Sequence, residues 1–243
     1  MTAMTDVNGM TGIEAVVFDW GGTLTEWHDV DFHAESLALA QAVVGVDHPV
    51  EVSQERLHRA GGVVWGRSRD EQRSATVADL FTEAGLEHDP DLLHAYYAFW
   101  EPHTQTDPDV APLLRGLRER GIKVGVLSNT IWPRAEHERI FARDGVLDLI
   151  DGAVYSSEVS WTKPAPEVFR AALDAVGASD PARCVYVGDR LFEDVWGPQQ
   201  LGMRAIHVPH SNVPDVQRGH TEGEPDAVVH RLADVLEVVD GWR

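Results

Sequence analysis

Residues 13–24 read Ile-Glu-Ala-Val-Val-Phe-Asp-Trp-Gly-Gly-Thr-Leu. The first six are compact, apolar and rich in β-branched side chains, the pattern of a short strand buried on both faces of a parallel sheet. Asp19 ends the run, and the pair Gly21-Gly22 breaks the chain into a turn. A carboxylate there sits at the carboxyl end of a buried strand, where open α/β sheets bind their ligands.

Outward from this strand the texture changes twice. Residues 1–12 lack the basic and apolar regions of a secretory signal and read as a loose tail, with a second possible start at Met10. From about Asp31 to His103 the Val-rich runs vanish. Helical spacing takes over at Phe32, Leu37, Leu39 and Val43, then at Leu57, Val63 and Val64, at Leu80 and Phe81, and at Leu92 to Trp100. Breaks at Asp47-His-Pro49, Gly85 and Asp89-Pro90 divide this into about four helices.

After Pro108 strands and helices alternate. Asp109 is placed to cap a helix ending near Arg120, with Gly121 just past its end. Strands are expected at 122–127, 152–155, 183–187 and 204–208, and helices at 133–142, 164–176, 192–201 and 227–239. The fold expected is α/β: a doubly wound, Rossmann-like parallel sheet with an inserted all-helical domain. Its boundaries are a tail at 1–12, a core at 13–28 and 104–243, and the insertion at 29–103.

Composition limits the function. The 243 residues include 40 acidic and 20 basic side chains, a formal charge of −20. That balance argues against binding nucleic acid through a broad basic surface. Hydrophobic residues at 43% are too many for a disordered chain, and no run approaches the length that spans a bilayer. The single cysteine, Cys184, excludes a disulfide framework and points to a reducing, cytoplasmic setting. Lysine occurs only at 123 and 163.

The predicted strand ends gather a defined set of groups. The first carries Asp19-Trp-Gly-Gly-Thr23 and the second Ser128-Asn129-Thr130; Lys163 precedes a helix, and Gly188-Asp189 end a later strand, with Asp194 five residues on. Carboxylates converging from separate strands repel one another unless a cation lies between them. Hard oxygen ligands suit Mg²⁺, which binds substrate phosphate. Lys163 supplies a positive charge, Ser128 and the N–H groups of the glycine turn supply donors for phosphoryl oxygens, and a carboxylate beside a metal is a known covalent nucleophile.

These pieces, Val-Phe-Asp19-Trp-Gly-Gly-Thr-Leu24, Val-Leu-Ser128-Asn-Thr, Lys163-Pro-Ala-Pro-Glu-Val-Phe and Val-Gly-Asp189-Arg-Leu-Phe-Glu-Asp194, resemble in order and spacing the haloacid dehalogenase-like (HAD) hydrolase superfamily. The resemblance runs from about residue 13 onward, and the insertion resembles that family's C1-type cap, the lid that selects substrate. It implies a Mg²⁺-dependent hydrolase of a small phosphorylated metabolite. Asp19 would be nucleophile and metal ligand, with the Gly21 carbonyl, Asp189 and Asp194 as further ligands. Ser128, Asn129 and the Gly21-Gly22 turn would hold the phosphoryl group, Lys163 would neutralise charge and Thr23 would support the turn. No membrane or nucleic-acid partner is implied, and the oligomeric state is left open.

One departure stands out. Phosphatases of the superfamily mostly carry a second Asp two residues after the nucleophile as general acid, and here that place is Gly21. Four readings follow. The chain is a phosphatase in which a neighbour such as His28, Asp29 or Asp31 substitutes, or whose leaving group needs little acid. It is a 2-haloacid dehalogenase, although that branch usually has Tyr at this place and Ser-Asn where this chain has Gly188-Asp189. It is a phosphonatase, although that branch uses a cap lysine and residues 29–103 contain none. Or it is a catalytically impaired binding module.

Other features have plainer readings. Ser128-Asn129 reads also as a helix N-cap. Glu193 is expected to face solvent, and the aromatic group Tyr96, Tyr97, Phe99 and Trp100 to form the insertion's core. Trp20, Trp27, Trp65, Arg67 and Arg69 are candidates for lining a cleft. The 12 histidines are scattered, with His207 and His210 structural or at the surface, and Cys184 belongs to the core.

Overall fold

A computed structural model describes residues 12–209 and 220–243. The expected tail and Met10 lie outside the described residues, as does His210.

The first strand is β1 (Ala15–Phe18), and all four of its residues are buried. The chain then leaves the sheet for α1 (Phe32–Ala40), β2 (Val43–Val44), α2 (Val50–Glu71), α3 (Val77–Ala84), β3 (Glu87–His88) and α4 (His94–Trp100). It returns through α5 (Val110–Glu119), β4 (Lys123–Ser128), α6 (Arg134–Arg143), β5 (Gly152–Tyr155), α7 (Pro166–Val176) and β6 (Cys184–Gly188). A π-helix at Leu191–Trp196, α8 (Gly197–Gln199), β7 (Arg204–His207), β8 (Ala227–Val228) and α9 (Val235–Gly241) complete it.

The main sheet has the order β5-β4-β1-β6-β7-β8, and every pairing is parallel. The chain adds β4 on one side of β1 and β6 on the other, so the order reverses at β1. The crevice beyond the carboxyl end of β1 is therefore the topological switch point. Alternation along β1 sends Val16 and Phe18 into one core and Ala15 and Val17 into the other. The second core is sealed by Val168, Phe169, Ala172, Leu173 and Val176, one face of α7.

The insertion is helical apart from the antiparallel pair Val43–Val44 with Glu87–His88. Asp31 caps α1 by accepting from the N–H groups of His33 and Ala34, and Thr76 with Asp79 forms a capping box on α3. The two chain crossings between insertion and sheet are pinned together where Thr25 Oγ1 donates to the Gln105 carbonyl at 2.6 Å. The end of α2 is tied to the loop before Lys163: Thr162 Oγ1 donates to the Ser68 carbonyl at 3.1 Å, and Thr162 N to that of Gln72 at 3.0 Å.

Several expectations change. Ala227 and Val228 pair with Ile206 and His207 as an edge strand, so the final helix begins at Val235: sheet pairing overrides local helical spacing. The helix expected from Pro164 begins at Pro166, because the Lys163–Pro164 bond is cis and Ala165 is the N-cap. The helix expected at 192–201 is a π-helix followed by a short α-helix. Asp109 sits at its N-cap but makes no side-chain cap bond, and Ser128-Asn129 cap nothing, since α6 starts at Arg134. Leu37 and Val63, both counted on apolar faces, are exposed. Among the described residues no helix is long and apolar enough to cross a membrane.

Candidate active site

β1 and β6 run side by side, so Asp19 and Asp189 leave adjacent strand ends. Asp194 folds back from the π-helix onto the same point. Gly188 allows this, because a Cβ there would collide with the Asp194 side chain. Oxygens of Asp19, Asp189 and Asp194 all lie within 4.8 Å of one another, and all three residues are buried. Among the described residues this is the one group of three metal-capable side chains, and it contains no histidine. Hard oxygen donors at this spacing fit a small divalent cation rather than a soft transition metal.

Lys163 lies inside the cluster. Its Nζ is 2.7 Å from both Asp19 Oδ1 and Asp194 Oδ1, and it donates to Tyr186 Oη at 3.0 Å. Tyr186 in turn donates to the Leu127 carbonyl at 2.8 Å. Asn129 clamps the lysine backbone from both sides: Oδ1 accepts from Lys163 N at 2.8 Å, and Nδ2 donates to Lys163 O at 3.2 Å. Ser128, at the end of β4, lines the same pocket.

Burial pushes the Asp19 and Asp194 carboxyls up, against the pull of Lys163. Burial also opposes the charge on Lys163, but the two carboxylates outweigh it and hold the ammonium above its ordinary value. The only other side-chain cation lining the pocket is Arg190. Three aspartates against two cations leave a surplus of negative charge, which a divalent ion would reverse.

The glycine turn is shaped by contact. Gly22 has φ +91°, and a Cβ on it would come within 2.6 Å of Asp189 Oδ2 and 2.5 Å of Trp27 Cδ1. Thr23 Oγ1 points to Asp189 Oδ1 at 3.5 Å. At Gly21 a Cβ would rest 3.5 Å from the Trp27 ring, so the indole occupies the direction in which a longer side chain would extend. This yields a first prediction. Gly21→Asp alone leaves kcat for alkyl phosphates within about threefold of wild type, while Gly21→Asp with Trp27→Ala raises it about 10²-fold, the low end of general-acid catalysis. Steady-state kinetics on an alkyl phosphate decides it; an equal gain in both variants would show that Trp27 does not obstruct the site.

Above the cluster opens a cavity of about 80 Å³, bounded by Asp19, Trp20 and Gly21 below and by Phe32, Glu35 and Trp65 of the insertion above. At about 15 Å³ per water it holds several waters, the scale of a small metabolite. Trp27, Tyr96, Trp100 and Trp132 form its walls.

Some placements differ from expectation. Tyr96 and Trp100 face the cavity rather than serving only as core. Glu193 is buried and lines it instead of facing solvent, with burial raising its carboxyl and Arg190 Nη1 at 3.9 Å. Arg67 turns away to Glu83, and Arg69 pairs with Asp70 beside a side cleft. Asp31 is engaged as a cap, and His28 and Asp29 do not line the cavity. His207 Nε2 lies 3.0 Å from the Asp189 carbonyl and shapes that turn. Tyr186, Arg190 and Glu35 were not singled out from sequence. For Tyr186 a signal existed: a tyrosine inside a strand of buried residues needs a partner for its hydroxyl.

A parallel sheet with an inserted lid and a buried acid–lysine cluster at its switch point describes a class of hydrolases. The chain belongs to the haloacid dehalogenase-like hydrolase family, whose profile matches residues 13–202. It is 28% identical to a glyceraldehyde 3-phosphate phosphatase of Methanopyrus kandleri, over 93% of this chain and 97% of that one. It is 32% identical to a phosphonoacetaldehyde hydrolase of Bordetella pertussis, over 78% of this chain and 70% of that one. The crystal structure of a HAD phosphatase from Thermococcus onnurineus superposes with a TM-score of 0.64 at 25% identity, covering 94% of this chain and 99% of that one.

Proposed function

We propose that this chain is a Mg²⁺-dependent phosphatase of a small phosphorylated metabolite, acting through a covalent aspartyl phosphate on Asp19. The observation that supports this reading most is Lys163 held 2.7 Å from Asp19 and Asp194 at the base of a metabolite-sized cavity.

Asp19, the Gly21 carbonyl, Asp189 and Asp194 would hold Mg²⁺, which when bound supplies positive charge to the phosphoryl oxygens and offsets the crowded carboxylates. The rest is done by the chain. Lys163 fixes the turn of the Asp19 carboxylate through Oδ1 and favours its ionised form against the effect of burial. The carboxylate attacks phosphorus in line, the P–O ester bond breaks, and the leaving oxygen takes a proton from solvent. Ser128 and the N–H groups of the Gly21-Gly22 turn bind the phosphoryl oxygens, and Thr23 steadies the turn against Asp189. Water then attacks the phosphorus of the aspartyl phosphate, releasing phosphate and regenerating Asp19. The lid excludes bulk water meanwhile.

Phosphonate cleavage through a lysine imine has less support, because one lysine is locked among carboxylates and the other, Lys123, begins β4 at an exposed position. The test is p-nitrophenyl phosphate, whose good leaving group needs no acid. Turnover is expected with Mg²⁺ and a fall of about 10²-fold or more after chelation. Halide release from 2-haloacids without turnover of any phosphate ester would overturn the reading.

A further inference from the structure

The phosphoryl end of the cavity has its cations, Lys163 and Arg190. Of the side chains contributed by residues 29–103, no Lys or Arg lines the cavity, and burial, with His28 nearby, holds the one imidazole there, His103, below its ordinary value. Of the insertion's five arginines, Arg56 turns to the Gly85 carbonyl, Arg59 to Glu55 and Arg67 to Glu83, while Arg69 pairs with Asp70 beside a side cleft that shares Trp65 with the cavity. What the insertion's side presents is aromatic surface, His103 and the carboxyl of Glu35, with Glu26 also on the lining. Trp65, Tyr96, Trp100 and Trp132 line the cavity, with Trp27 between them and the glycine turn, and Glu35 is bonded to Tyr96 and Trp100. The rings support one another edge to face, with Trp100 and Trp132 centroids 5.7 Å apart and Trp27 and Trp100 6.3 Å apart. No cation–π contact of the described residues involves any of these rings.

Glu35 is held in place. Its Oε1 accepts from Trp100 Nε1 at 3.2 Å and from Tyr96 Oη at 3.4 Å, and Tyr96 is itself fixed by Trp132 Nε1 at 2.8 Å. Neither bond involves Oε2. No cationic side chain pairs with this carboxyl among the described residues, and burial pushes it up to about 7. A cation beside this carboxyl would favour its ionised form. Aromatic faces around a carboxyl are a recognised receptor for ammonium groups.

We infer that the substrate is the phosphate monoester of an ammonium alcohol, its phosphoryl group at Asp19 and its cationic end among these rings against Glu35. This rests on the phosphatase reading and deepens it. Two further observations agree. An ammonium group near the ester oxygen lowers the pKa of the leaving alcohol by induction, which suits a site whose usual acid is replaced by Gly21. It also halves the net charge of a phosphate dianion approaching a chain of formal charge −20. Phosphate esters with a second carboxylate meet no Lys or Arg from the insertion in this cavity.

The test compares isosteres on the full chain with saturating Mg²⁺. Phosphocholine and its uncharged isostere, 3,3-dimethylbutyl phosphate, differ only in the charge of one atom. Expected is a kcat/KM at least about tenfold higher for phosphocholine or phosphoethanolamine than for the isostere, with phosphoglycolate slower than both. Glu35→Gln keeps shape and an acceptor for Trp100 and Tyr96; it should lower kcat/KM for the ammonium ester several-fold more than for the isostere, so that the about tenfold preference shrinks to a few-fold inductive remainder. Direct binding gives an independent readout, since five of the eight tryptophans border the cavity. Choline should perturb their fluorescence at concentrations where 3,3-dimethylbutanol does not, and Glu35→Gln should abolish the difference. Equal binding of choline and 3,3-dimethylbutanol, or a turnover preference whose size Glu35→Gln does not change, overturns the inference. Loss of all turnover, p-nitrophenyl phosphate included, together with intact choline binding, would instead sink the phosphatase reading and keep the ammonium site.

Discussion

Asp19→Asn abolishes turnover: kcat for p-nitrophenyl phosphate is expected to fall at least about 10⁴-fold, the scale seen when a covalent nucleophile is removed. The amide keeps the shape of the carboxylate but cannot attack phosphorus. The fold should not suffer. Asp19 is 4% exposed beside two other aspartates, and burial raises its pKa in the folded chain. A raised folded pKa contributes stability that is complete below the unfolded value and is lost as pH rises through the folded one. At pH 7 the ionised Asp19 therefore costs stability, and Lys163 retains Asp194 as a partner when it is removed. Without divalent ion, the melting temperature of Asp19→Asn should equal or exceed that of wild type. Residual activity above about 1% would place the nucleophile elsewhere, and a much lower melting temperature would make the loss structural.

Lys163→Met should damage both function and fold. Methionine replaces most of the apolar stem but removes the charge that touches Asp19 and Asp194. Lys163 is 3% exposed, so water cannot compensate. Breaking a buried pair by removing one partner costs about 3–5 kcal/mol. Activity should fall at least about 10²-fold with the loss of electrostatic stabilisation. The pH dependence has a definite sign. Asp19 and Asp194 already titrate high and would move higher without the ammonium. The deficit should therefore shrink as pH falls through their raised folded values and grow as pH rises through them. Urea midpoints of both proteins at pH 4.5 and 7.5, without divalent ion, measure it. An unchanged difference between the two pH values would mean that the carboxylates are compensated by something other than Lys163.

Much of this arrangement was legible in the chain. The strand at 13–18 could be read because a parallel strand buried on both faces has no polar alternation to obscure it. Gly177 marked a helix end because a left-handed turn there, φ +70°, favours glycine. The four motifs stood out because each needs a particular atom at a strand end. Ala227-Val228 were misread because pairing with β7 is a non-local event that spacing does not encode. Glu193 was misread for a similar reason. Its burial depends on what packs over the π-helix, with the cavity on one side and Arg190 Nη1 at 3.9 Å, and neighbours along the chain do not encode that.

By itself, then, the sequence determined the α/β core, the position of the insertion, and the acids and lysine that converge on one strand end, since these follow from local pattern and chain order. Only the tertiary structure decided how the site is completed. Tyr186 and Asn129 fix Lys163, Trp27 lies over the place of the absent acid, and Glu35 bonds to Tyr96 and Trp100 in a cavity it shares with Trp65 and Trp132. Each of these depends on contacts between residues distant in sequence, and a side chain's partners across such distances are set by packing rather than by its neighbours along the chain.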